Sequence, residues 1–97
     1  MVMWILRPRH TDSDQVLRLP PGVVKTVGRG PRADFVFDVT LLSRMHCQLS
    51  AAANQLVVED LKSTNGTYVN DKRVECVALK AGDCLRLGRI EFVVSRE

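Results

Sequence analysis

The chain has 97 residues, 45% hydrophobic and 26% charged, which suits one globular domain and excludes both a two-domain protein and wholesale disorder. Its 14 Lys/Arg and 11 Asp/Glu give a formal net charge of +3, all of it in residues 1–50, so an anionic partner is favoured over a cationic one. No apolar run approaches the ~20 residues that cross a bilayer, and the start MVMWILRPRH is too short in apolar length, with no small-residue cleavage site, for a secretory signal. Cys47, Cys76 and Cys84 stand at unrelated spacings. They give neither a disulfide framework nor a C-x-x-C metal knuckle, and point to a reducing intracellular setting.

Short apolar-rich runs follow one another along the chain, separated by turn residues at the ~8–12-residue intervals of an all-β sandwich or barrel. They are VMWILR (2–7), QVLRL (15–19), VVKTV (23–27), DFVFD (34–38), HCQLS (46–50), QLVVED (55–60), TYVN (67–70), DCLRL (83–87) and IEFVV (90–94). HTDSD, PPG, GRGPR, AAAN, KSTNG, ND, AGD and GR punctuate them. Residues 33–53 are apolar enough to read as a helix by periodicity. FVF and the β-branched Val39-Thr40 favour strand, loop, strand.

Polar residues gather at strand ends and loops, where a sandwich clusters its binding groups. Gly28-Arg29 closes one run, Ser43-Arg44-Met45-His46 precedes another, and Ser63-Thr64-Asn65-Gly66-Thr67 fills a turn with Asn70 just beyond it. Arg29 and Arg44 offer guanidinium forks that match phosphate oxygens. Ser43 and Thr64 offer hydroxyls, and Asn65 and Asn70 offer amides that donate and accept. No carboxylate lies within these clusters, so the set suits a phosphate carried on a peptide.

In this order and spacing, GR, S-R-x-H, S-x-N-G-T and the later Asn resemble the forkhead-associated (FHA) domain, with L-x-x-G-D at Leu79–Asp83 and the following L-R-L-G as lesser marks. The resemblance covers essentially the whole chain. It implies one domain over residues 1–97, an all-β sandwich of about eleven strands with its binding loops at one end and a phosphothreonine-containing protein or peptide as partner. It implies no catalysis, metal or organic cofactor. By position, Arg29 contacts phosphate or adjoining peptide backbone, Ser43 and Arg44 bond phosphate oxygens, and Thr64 adds a further phosphate contact. Asn65 holds the peptide main chain with Asn70 as a lesser second hold, while Gly28, His46 and Gly66 support the site. Leu41 is a candidate reader of the third residue after the phosphothreonine. Trp4 close behind the initiator Met is similar to nibrin-type DNA-damage proteins, which implies a nuclear, DNA-damage setting. A reader module of this kind is expected to be a monomer at the front of a larger protein.

Other readings compete. The Ser43/His46 pair, with Asp60 or Asp83 as orienter, would suit nucleophilic catalysis, but no oxyanion-hole motif accompanies it. The five aromatics are not interleaved with a basic run, which argues against nucleic acid. A phosphate-independent interaction or dimerisation module on the same fold is the alternative, and retention of the Arg and Ser speaks against it. Trp4 and Phe92 are expected in the core, with Cys47 and Leu49.

Overall fold

Alternation along each run decides which side chains face inward. In the computed structural model, which describes residues 2–10 and 14–97, the clearest case is β5 (Cys47–Ala51): Cys47, Leu49 and Ala51 are buried while Gln48 and Ser50 are half-exposed. The chain lays down β1 (Trp4–Pro8), β2 (Leu17–Leu19), β3 (Val24–Gly28), β4 (Phe35–Val36), then β5, β6 (Leu56–Asp60) and β7 (Thr67–Val69). It continues through β8 (Lys72–Val74), β9 (Cys76–Leu79), β10 (Cys84–Leu87) and β11 (Ile90–Arg96). The segment 33–53 is strand, loop, strand, and no helix occurs among the described residues. Most of the turn expected at HTDSD lies outside them.

The eleven strands form two sheets, a six-stranded one ordered β2-β1-β11-β10-β7-β8 and a five-stranded one ordered β4-β3-β5-β6-β9. Every pairing is antiparallel except the short β3–β4 match. Two strands, β8 and β9, lie in KRVECVAL, where no run was expected. Only Leu79 of these seven strand residues is fully buried, so an alternation signal is nearly absent there.

Between the sheets Leu6, Leu17, Leu49, Leu56, Leu85, Leu87, Ile90 and Phe92 are buried to about 1% exposure or less. Full burial of one such side chain contributes ~1.5–3 kcal/mol, and a slip of one residue in any strand would turn its apolar set to water. Phe37 from the loop after β4 meets Phe92 edge-on at 5.7 Å, which draws that loop onto the core. Trp4 is buried as well, its indole N–H donating to the Ala52 carbonyl at 2.8 Å.

Beyond β1 and β11 the backbone groups of Met3 and Glu97 bond each other in both directions, so the two ends of the chain run side by side. At the opposite end of β11 the turn at Gly88 lies against the Leu41 carbonyl. That end carries the loops between β3 and β4, β4 and β5, and β6 and β7.

Candidate functional site

The β3–β4 and β4–β5 loops are bound to each other through their backbones. Arg29 N–H donates to the Ser43 carbonyl at 2.9 Å, Gly30 N–H to Arg44 at 3.0 Å, and His46 N–H to Val27 at 2.8 Å. Such close approach requires Gly28. A β-carbon there would fall 1.9 Å from the Arg44 carbonyl oxygen.

His46, fully buried, joins these loops to the β6–β7 turn. Its Nδ1 accepts the Ser43 N–H at 3.1 Å, and its Nε2 lies 2.8 Å from the Gly66 carbonyl. A carbonyl only accepts, so the ring carries its proton on Nε2. Both ring nitrogens therefore hold backbone, and neither is bonded to the Ser43 hydroxyl. The geometry gives the Ser43/His46 pair no nucleophile-and-base arrangement.

Within the turn the two hydroxyls that precede Asn65-Gly66 face opposite ways. Ser63 is 7% exposed. Its hydroxyl donates to Asp60 Oδ1 at 2.5 Å and accepts the Gly66 N–H at 2.9 Å. Thr67 donates to the same carboxylate oxygen at 2.7 Å, and the Ser63 N–H to Asp60 Oδ2 at 3.1 Å. Burial alone pushes the Asp60 carboxyl up. The Ser63 and Thr67 hydroxyls, the Ser63 N–H and nearby His46 outweigh it, so its pKa lies below the ordinary value. Sequence reasoning missed this anchor, whose signal is Asp60 three residues before Ser63, the spacing of a carboxylate-capped turn.

Thr64 is exposed and turned outward. Its N–H donates to Ser43 Oγ at 3.0 Å, which leaves the Ser43 hydroxyl proton free to be given away. Asn65 donates one amide proton to the Leu41 carbonyl at 3.0 Å, while its oxygen and second proton have no partner among the described residues. Leu41 is 53% exposed and holds a left-handed backbone with φ 73°. Together Arg29, Ser43, Thr64, Asn65, Leu41, Thr40 and Leu42 line a cavity of about 250 Å³. No carboxylate is among them, and the Arg29 guanidinium has no ion-pair or hydrogen-bond partner among the described residues. An unneutralised cation, two hydroxyls and an amide have the chemistry that an oxyanion attached to a peptide requires.

Two expected members stand elsewhere. Arg44 lines a separate cleft of about 400 Å³ with Gly30, Pro31, Arg32 and Met45. Asn70 sits past the far end of β7, where its oxygen accepts the Cys84 N–H at 3.0 Å and its amide donates to Asp83 at 3.1 Å. With both ends of its amide committed to fixing the β7–β8 turn on β10, it does not join the cavity. None of the three cysteines lines the cavity. Cys47 is buried, with burial and Asp60 pushing its thiol far up, and burial together with Glu91 raises that of Cys84.

The family model for the FHA domain matches residues 25–88, which contain every residue of this cavity. The chain belongs to the FHA family. Among relatives of this FHA domain, an ABC transporter ATP-binding/permease protein of Mycobacterium tuberculosis is 37% identical over 92 residues, covering 95% of this chain and 10% of the transporter. The glycogen accumulation regulator GarA of the same organism is 34% identical over 70 residues, 72% of this chain and 43% of GarA. The chain thus spans less than half the length of either. A structure described as a study of phosphothreonine-dependent FHA domain interactions is 34% identical and superposes with a TM-score of 0.85 over 95% of this chain and 94% of that one. The FHA sandwich and its loop order are therefore shared by sequence and by shape.

Proposed function

We propose that this FHA domain binds phosphothreonine on a partner protein and is a recruiting module in signalling, not an enzyme. The observation that carries the reading is the cavity itself, in which Arg29, Ser43, Thr64 and Asn65 converge with no carboxylate beside them. Arg29 and the hydroxyls of Ser43 and Thr64 take the phosphate oxygens, and the open half of the Asn65 amide takes the peptide main chain. Gly28, His46, Ser63 and Asp60 hold these groups from behind. The related structure concerned with phosphothreonine-dependent interactions supports the choice of ligand, and the kinship with GarA supports a regulatory setting.

The test is a titration with a degenerate phosphothreonine peptide pool beside matched phosphoserine and unphosphorylated pools. Micromolar binding, about −8 kcal/mol, is expected for the phosphothreonine pool alone. Arg29→Ala removes charged hydrogen bonds of ~1.5–3 kcal/mol each and weakens it by ~10–100-fold. Equal binding to all pools, unaffected by Arg29→Ala, refutes the reading and points to a phosphate-independent interaction.

A further inference from the structure

We infer that β9 (Cys76–Leu79) is a self-association edge, on which a second copy of this chain pairs antiparallel about a two-fold axis at Val77.

The sheet edges differ in how they are guarded. The six-stranded sheet ends on β2 and β8, the five-stranded one on β4 and β9. Edge strands resist pairing when they are very short, charged or bounded by proline. β2 carries Arg18 and runs into Pro20-Pro21, β8 carries Lys72 and Arg73, and β4 has only two residues. β9 has four residues and neither charge nor proline. Cys76 and Ala78 stand exposed along it.

Hydrogen-bond phase fixes the register. The Leu61 N–H donates to the His46 carbonyl at 2.9 Å, and on the other side of β6 the Asp60 N–H donates to the Glu75 carbonyl at 2.7 Å. Such groups alternate along an antiparallel ladder. Glu75, Val77 and Leu79 therefore turn their backbone groups to β6, while Cys76 and Ala78 turn theirs to the open edge. The neighbours on either side are committed. Lys80 bonds Asp83 through its N–H at 2.8 Å and its carbonyl at 3.0 Å, and Val74 pairs with Thr67 in the other sheet. Only one two-fold register uses all the open groups. It sets Cys76 of each copy opposite Ala78 of the other, with the two Val77 residues facing each other on the axis.

Charge selects the occupant. Glu75 precedes β9 and Lys80 follows it, and neither has an ion-pair partner among the described residues. In the two-fold pair Glu75 of each copy falls opposite Leu79 and beside Lys80 of the other, whereas parallel pairing would set like charges together. A strand negative at its entry, positive at its exit and uncharged between is complementary to itself. β9 begins at the loop-bearing end, where Glu75 meets Asp60, so the pair points its two cavities to opposite poles. Such a dimer bridges two phosphorylated proteins. That consequence rests on the phosphothreonine reading; the pairing itself does not.

The test is sedimentation equilibrium of the chain without peptide, up to about 1 mM, since so small a contact gives a dissociation constant on the order of 100 µM. Ala78→Pro removes an N–H that points away from β6, and Ala78→Lys adds a guarding charge at an exposed position. Each weakens association at least tenfold, and thermal melting of each confirms that the fold is kept. Ala78→Cys reads the register. Its new thiol stands on a Cα ~5.5 Å from that of Cys76 in the second copy, within disulfide reach, whereas the two Cys76 Cα atoms are roughly 8–9 Å apart. Mild oxidation then yields a covalent dimer from this variant and not from the parent. A monomer throughout the range overturns the inference and leaves the edge to a strand of another protein. A dimer that survives both Ala78→Pro and Ala78→Lys overturns it too, as does a covalent dimer formed equally by the parent. Phosphopeptide titration is scored separately, so failure of either reading leaves the other standing.

Discussion

Replacing His46 by Ala tests the frame behind the site more directly than any change to the cavity surface. The ring is fully buried and bonds the Ser43 N–H at 3.1 Å and the Gly66 carbonyl at 2.8 Å. Removing it orphans two backbone groups, each at a cost of ~1–3 kcal/mol, and leaves a void that its neighbours only partly fill. The sum is about 4 kcal/mol from a domain whose total stability is of order 5–15 kcal/mol. In a domain of this size that lowers Tm by about 20 °C. His46→Leu fills most of the space and restores neither bond, so it isolates the hydrogen-bond part at about 2–3 kcal/mol. Urea unfolding followed by circular dichroism reads both variants, and phosphopeptide titration well below Tm reads the site. Affinity falls at least tenfold, since the Ser43 N–H and the Gly66 carbonyl lose the ring that sets their two loops against each other. A His46→Ala protein within about 0.5 kcal/mol of the parent would refute the claim that this ring ties the three loops together.

Gly28→Ala forces a methyl against the Arg44 carbonyl oxygen at a nominal 1.9 Å, with backbone rather than a flexible side chain in the way. The β3–β4 and β4–β5 loops must part, so thermal melting should drop by ~10 °C or more and phosphopeptide binding should fail with it. Unchanged melting and binding would be inconsistent with the close contact. Acid should act through Asp60. Its folded pKa is depressed below the 3.8 of the free side chain, so its stabilisation is present above that value and is lost as pH falls through the lower, folded pKa. Asp60→Asn loses part of that stabilisation at neutral pH and shows a flatter decline of stability in acid. An acid limb as steep as the parent's would exclude the anchor.

Nine of the eleven strands were legible as apolar-rich runs between turn residues, and six of them, β2, β5, β6, β7, β10 and β11, also carry buried residues at alternate positions, as Cys47, Leu49 and Ala51 do. KRVECVAL was not, because its residues stand mostly in water and pair through backbone. The same limit applies to the site. Residue types and spacing marked Arg29, Ser43, Thr64 and Asn65 as a receptor, and the fold gathers them with Leu41 into one cavity. Direction along a loop was not readable. Ser63 and Thr64 are adjacent hydroxyls, yet one turns inward to Asp60 and the other outward, because the carboxylate lies three residues before Ser63. Asn70 carries the same amide as Asn65, yet a left-handed backbone with φ 51° and the nearby Asp83 and Cys84 consume both its ends. Arg44 follows Ser43 directly, yet it lines the neighbouring cleft with Gly30, Pro31, Arg32 and Met45.

The mutual bonding of Met3 and Glu97 has a consequence for how such a domain can be wired into larger machinery. β11 runs seven residues from the loop-bearing end to the paired termini, about 20 Å. Both ends of the chain thus leave together, from the side opposite the cavity. A module built this way can hang from a single tether or be spliced into a surface loop of a host without its backbone being rerouted past the ligand. A host joined at these ends would lie at the pole opposite the cavity. Grafting the domain between two adjacent residues of an unrelated carrier is therefore an architectural operation that the β-sandwich already permits.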